Sequence, residues 1–184
     1  VDLGDNSIRR SEALLRWHHP QRGTISPADF IPVAEDTGLI NELGHFVLET
    51  ACREAAKWPQ HIRIAVNVSP VQFRGPTLAL NVAAALAASG IEASRLELEI
   101  TEAVLMRDDE VALATLHQLR ALGVRIALDD FGTGYSSLSY LHRFPFDKIK
   151  IDRSFVQHIG EEGASSAIVQ AVVNIARASD MTTT

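Results

Sequence analysis

Short β-type runs alternate with amphipathic helical runs along the whole chain, and this alternation restricts the possible folds more than any other feature. The strand candidates are Ile8–Leu15, Ile62–Val68, Leu96–Thr101, Arg125–Asp129 and Lys148–Ile151. Between and after them, apolar residues recur at helical spacing in Pro27–Glu35, Asn41–Trp58, Leu78–Ser89, Glu110–Leu122 and Ala167–Ala178. Ser26 before Pro27 is a helix-start signal, and Gly90 and Gly123 stand where helices should stop. Such repetition implies a parallel sheet with right-handed crossovers. No dinucleotide fingerprint follows the first strand, which favours a (β/α)8-like barrel over a doubly wound sheet. About five strand–helix units are countable against the eight of a closed barrel. The chain is therefore either an open sheet or part of a longer barrel, and no internal boundary divides residues 1–184.

Side chains alternate between the two faces of a strand, so each strand can be sorted by face. One face carries Ile62, Ile64, Val66 and Val68, then Leu96, Leu98 and Ile100, then Ile126 and Leu128, then Ile149 and Ile151. That face should pack against helices. The other carries Ala65, Asn67 and Ser69, then Glu97, Glu99 and Thr101, then Ala127 and Asp129, then Lys148, Lys150 and Asp152, with Glu12 late in the first strand. A parallel sheet buried on both faces normally reads as nearly continuous hydrophobic sequence. Carboxylates in its interior must be paired, solvated or bound to metal, because an unpaired buried charge costs several kcal/mol. At the C-terminal strand ends they would meet at the mouth of a barrel. Glu12, Asn67, Glu99, Asp129 and Lys150 either form interior salt bridges, Lys150 with Asp129 or Glu99, or make a site. Their placement near different strand ends favours a site whose oxygen donors suit Mg²⁺, Mn²⁺ or Ca²⁺ rather than zinc.

The formal charge of −6 over 184 residues argues against a general nucleic-acid backbone binder, which needs clustered Lys and Arg. Cys52, the single cysteine, follows a helical pattern and reads as a buried packing residue, in keeping with a reducing compartment. No apolar run approaches the ~20 residues that span a bilayer, and the expectation is a cytoplasmic domain, with a membrane anchor elsewhere in the parent protein left open.

Several ordered motifs resemble one family. Glu12-Ala13-Leu14-Leu15-Arg16-Trp17 is similar to the signature that names EAL domains, and Asn67-Val68-Ser69 and Glu99-Ile100-Thr101-Glu102 follow in the family's order. Asp129-Asp130-Phe131-Gly132-Thr133-Gly134-Tyr135-Ser136-Ser137 and Lys148-Ile149-Lys150-Ile151-Asp152 complete the series. The resemblance covers nearly the whole chain. It implies an EAL-type barrel that hydrolyses cyclic di-GMP to linear pGpG with two Mg²⁺ or Mn²⁺ ions, in bacterial second-messenger signalling. Carried over by position, Glu12, Asn67, Glu99 and Asp129 would bind the first metal, Asp129 would bridge to the second, and Asp130 would bind that one. Two such cations activate water and neutralise charge on phosphoryl oxygens. Lys150 would stand beside the attacking water and the scissile phosphate. Arg16 would contact phosphate, with Leu14 and Asp152 at the substrate, although Asp152 reads equally as a structural residue.

The resemblance also implies that the Phe131–Ser137 loop orders metal binding and takes part in coupling a homodimer, with Glu102 anchoring it. Sensory or GGDEF-type domains are the expected fusion partners. In the family, a run like Asp180–Thr184 leads into a strand bearing Ala-Glu-Gly-Val-Glu, so the expectation is a domain that continues beyond these residues. The intact parent should then hydrolyse the nucleotide, while residues 1–184 alone should neither fold stably nor turn over. The alternative function is a receptor that binds cyclic di-GMP without cleaving it. A barrel lyase using Lys150 as base fits poorly with Arg16. His18-His19-Pro20 reads as surface loop, and Asp108-Asp109-Glu110 as the charged start of a helix.

Overall fold

A computed structural model of the chain describes residue 4 and residues 6–105, 109–132, 143–157 and 164–184. Eight strands are present among them: β1 (Arg10–Ala13), β2 (Trp17–His19), β3 (Gly23–Ile25), β4 (Arg63–Asn67), β5 (Leu96–Thr101), β6 (Arg125–Phe131), β7 (Lys148–Ile151) and β8 (Thr182–Thr183). Six of these form one sheet in the order β1-β4-β5-β6-β7-β8. Every neighbouring pair in it is parallel. Strands that neighbour one another in this order with helices between them make a curled half-barrel, a partial (β/α)8 fold.

The aliphatic face behaves as its pattern requires. Ile64, Val66, Leu96, Leu98, Ile100, Ile126, Leu128 and Ile149 join one buried cluster with residues of the covering helices. Those helices are α1 (Pro27–Thr37), α2 (Ile40–Ala55), α3 (Leu78–Ser89) and α4 (Asp109–Ala121), followed late in the chain by Ala164–Ala178. Leu48, Cys52 and Ala55 of α2, Val82 of α3 and Leu116 of α4 are buried against the strands. Cys52 is fully buried, and burial pushes its thiol up to about 11. Ser26 caps α1, its hydroxyl accepting from the Ala28 N–H. Gly90 ends α3 at φ 68°, a left-handed conformation that glycine adopts without steric penalty.

The structure also departs from the sequence reading. His18 and His19 lie in β2, paired antiparallel with β3, and not in a loop. Their roles are local: His18 Nδ1 is 2.9 Å from Thr24 Oγ1, and His19 Nδ1 accepts from the Gln21 N–H at the turn. Thr182–Thr183 forms a sixth strand of the main sheet against β7. The first strand is shorter than Ile8–Leu15. Asp108 and the loop residues Thr133, Gly134, Tyr135, Ser136 and Ser137 lie outside the described residues. No helix among the described residues is long and apolar enough to cross a membrane.

Candidate functional site

Strand register decides which polar side chains meet. Glu12 pairs with Ala65 and Ala65 with Glu97; one step along, Asn67 pairs with Glu99, and Thr101 pairs with Asp129. Glu12, Asn67, Glu99, Asp129 and Lys150, from five neighbouring strands, therefore lie along one face of the sheet towards its C-terminal edge. Asn67 Nδ2 donates to Glu12 Oε1 at 2.7 Å. Lys150 Nζ donates to Glu99 Oε2 at 2.8 Å and to Asp129 Oδ2 at 2.7 Å, and lies 3.9 Å from Glu12 Oε2. Asp130 follows with φ 51°, its N–H donating to Asp129 Oδ1 at 2.9 Å. The sequence reading offered interior salt bridges or a site; the salt bridges exist, and they gather the residues proposed for the site.

The Glu99 side chain is fully buried. Burial pushes its carboxyl above the usual range, and the charge of Glu12 adds to this, while Lys150 opposes both. Glu99 Oε1 accepts no hydrogen bond and lies 3.1 Å from Arg10 Nη1. Burial also raises Asp130, helped by the charges of Asp129 and Asp152. For Lys150 burial acts to lower the proton affinity, but hydrogen bonds to Asp129 and Glu99 outweigh it and the ammonium is stabilised.

A second ionic group lies one side-chain row deeper. Lys148 Nζ reaches both oxygens of the fully buried Glu97, at 2.9 and 2.8 Å, and Arg10 also pairs with Glu97 Oε1. Burial disfavours the Glu97 carboxylate, yet Lys148 and Arg10 hold it below its ordinary range. Sequence reading placed Glu97 and Lys148 on this face but did not include Arg10. The signal was there: Arg10 precedes Glu12 by two residues and so shares its face.

The remaining predicted residues sit around this core. Glu102 Oε1 accepts from the Gly132 N–H at 3.0 Å, one residue past the end of β6. Gly132 has φ 101°, and a Cβ there would stand 2.7 Å from the Phe155 ring. Leu14 and Arg16 line a groove of about 480 Å³ together with Glu35, Asn67, Ser69 and Glu99. Arg16 itself is exposed, and its Nη1 donates to Leu15 O. A larger, more apolar cleft of about 610 Å³, with Trp17, Phe30 and Val33, includes none of the strand-end carboxylates. Asp152 caps a short helix, Arg153–Val156, accepting from the Ser154 N–H. Among the described residues no group of three or more His, Cys, Asp or Glu is arranged to hold a metal ion. The chemistry of the donor set, carboxylate and amide oxygens from neighbouring strands, fits a hard divalent cation; in this arrangement Lys150 and Arg10 face the two Glu99 oxygens.

A family model described as EAL domain matches residues 1–184. The chain is 48% identical to the bifunctional diguanylate cyclase/cyclic di-GMP phosphodiesterase MucR of Pseudomonas aeruginosa, over 90% of this chain and 25% of that protein. It is 43% identical to the cyclic di-GMP phosphodiesterase PdeR of Escherichia coli, over 93% of this chain and 26% of that one. Among solved structures, the PaMucR phosphodiesterase in complex with c-di-GMP superposes with a TM-score of 0.87 at 46% identity, over 94% of this chain and 71% of that chain. The chain spans about a quarter of the length of the curated relatives it matches.

Proposed function

Because the chain belongs to the EAL domain family, we propose that it carries the metal-binding side of a site that hydrolyses cyclic di-GMP to linear pGpG. The observation that carries this is the meeting of Glu12, Asn67, Glu99, Asp129 and Lys150 from neighbouring strands at one edge of the sheet. MucR and PdeR, both described as cyclic di-GMP phosphodiesterases, support the substrate.

Glu12, Asn67, Glu99 and Asp129 would hold one Mg²⁺ or Mn²⁺, with Asp129 shared and Asp130 completing a second position. Bound there, the ions supply Lewis-acid stabilisation of a phosphoryl group and an acidified water. The chain's own residues do the rest. Asn67 orients Glu12 through its amide hydrogen bond. Lys150, kept protonated by Glu99 and Asp129, offers a fixed positive charge where phosphoryl oxygens gain negative charge. Arg16, exposed on the groove that Asn67 and Glu99 also line, would meet a phosphate of an entering nucleotide. Water adds to one phosphorus, one ester P–O bond breaks, and the freed ribose oxygen takes a proton. Glu102 steadies the backbone beyond the paired aspartates by holding Gly132.

The proposal extends to the whole protein: a homodimer in which this domain is fused to or regulated by sensory or GGDEF-type domains. MucR, named as both cyclase and phosphodiesterase, is a relative of that kind. The test is to incubate the full-length protein with cyclic di-GMP and Mg²⁺ or Mn²⁺ and to follow pGpG together with nucleotide binding. Binding without pGpG would make the domain a receptor, and absence of binding would refute both nucleotide readings.

A further inference from the structure

Beneath the strand-end carboxylates, we infer that Arg10 is a positioning residue for the site, holding Glu99 in its metal-binding orientation through a bridge shared with Glu97. This rests on the phosphodiesterase reading above and adds to it a residue outside the motif-matched set. Arg10 Nη1 pairs with Glu97 Oε1 and lies 3.1 Å from Glu99 Oε1. One guanidinium thus spans two carboxylates that follow each other on the same face of β5, both with fully buried side chains. To do so it crosses β4, where register places the small, fully buried Ala65 between Glu12 and Glu97.

Glu99 is gripped from two sides. Lys150 takes Oε2 by a hydrogen bond, and Arg10 faces Oε1, the oxygen that accepts no hydrogen bond. Lys150 also serves Asp129 and faces Glu12, so its grip on Glu99 is shared. Arg10 reaches only the two β5 carboxylates among the ion pairs of the described residues. Lys148 closes the deeper row by chelating Glu97, which leaves Glu97 a fixed anchor against which Arg10 is set. Both contacts run through Nη1, whose N–H directions are fixed by the guanidinium plane, whereas a lysine ammonium on a flexible stem sets no such plane. Residues that orient metal-binding carboxylates commonly influence metal affinity about 10- to 100-fold.

The test uses the full-length protein and the variants R10Q and R10K, with Mn²⁺ affinity measured by electron paramagnetic resonance beside kcat, KM and thermal unfolding. R10Q should bind Mn²⁺ about tenfold or more weakly and lose kcat by a similar factor, with KM for cyclic di-GMP little changed. R10K should recover part of the affinity. If R10Q does not fold, the double variant R10Q/E97Q replaces it, because it removes the buried acid along with its partner; its Mn²⁺ affinity should still fall. A folded variant with wild-type Mn²⁺ affinity and kcat would overturn the inference. Failure of both to fold would overturn it too, in favour of a purely structural ion pair. A wild-type protein that binds no Mn²⁺ would instead refute the proposed function, which separates the two claims.

Discussion

Lys150 and the buried Glu99 form an ion pair 2.8 Å long between β7 and β5, with the intervening β6 contributing Asp129 to the same ammonium at 2.7 Å. The pair is structural and chemical at once. It offsets part of the burial that raises the Glu99 carboxyl, and it fixes a cation beside oxygens suited to divalent metals.

Removing that ammonium leaves Glu99 buried without its closest cation. Lys150→Met is expected to destabilise the protein by about 3 kcal/mol, the usual scale for breaking a buried pair from one side. It should also lower hydrolysis by at least about a hundredfold, as loss of a fixed charge at a phosphoryl site does. Urea denaturation and initial rates check the two effects separately. Unchanged stability with unchanged turnover would show that the pair has neither role.

The anchoring of Gly132 gives a second prediction. Gly132→Ala places a Cβ 2.7 Å from the Phe155 ring at a φ of 101°, so it should cost about 2 kcal/mol in urea unfolding. Glu102→Ala removes the acceptor for the Gly132 N–H and should weaken Mn²⁺ binding, while Glu102→Gln, which keeps an acceptor oxygen, should weaken it less. Equal affinities in both Glu102 variants would argue against an anchoring role.

Cys52 sets a pH dependence whose sign follows from its burial. Its thiol ionises at about 11 in the fold, against an ordinary 9.0, so the folded state keeps its proton longer than the unfolded chain does. The thiol's contribution is complete below pH 9 and is lost as pH rises towards 11, on the order of 2 to 3 kcal/mol in all. Cys52→Ser is not a clean control because it buries a hydroxyl; Cys52→Ala is. Unfolding curves between pH 8 and 11, wild type against Cys52→Ala, should converge as pH rises. Parallel curves would contradict the assignment.

How much was legible in the sequence follows from range of interaction. Alternation within a strand is local, so Glu97 and Glu99 on one face, and Lys148 and Lys150 on another strand, could be sorted from spacing alone. Leu78–Ser89 could be located to the residue because its apolar run stops at Gly90, and Lys148–Ile151 because its charged and apolar residues alternate strictly. The β2–β3 hairpin was missed because Trp17–His19 is three residues long and is followed by Pro20, Gly23 and polar side chains that signal a turn. Thr182–Thr183 is shorter still and carries no alternation. Spacing places Arg10 on the face of Glu12 but does not say what it meets there. Its partners lie two strands away, and inter-strand register is set by packing that no single segment encodes. The motif resemblance supplied roles for Glu12, Asn67 and Asp130 that spacing could not.

The most direct test of the account compares the full-length protein with its Glu12→Ala variant in cyclic di-GMP hydrolysis at saturating Mn²⁺, with pGpG as the measured product. The account predicts Mn²⁺-dependent pGpG from the wild type and its loss in the variant, with folding retained. Wild-type rates in a folded Glu12→Ala protein would contradict it.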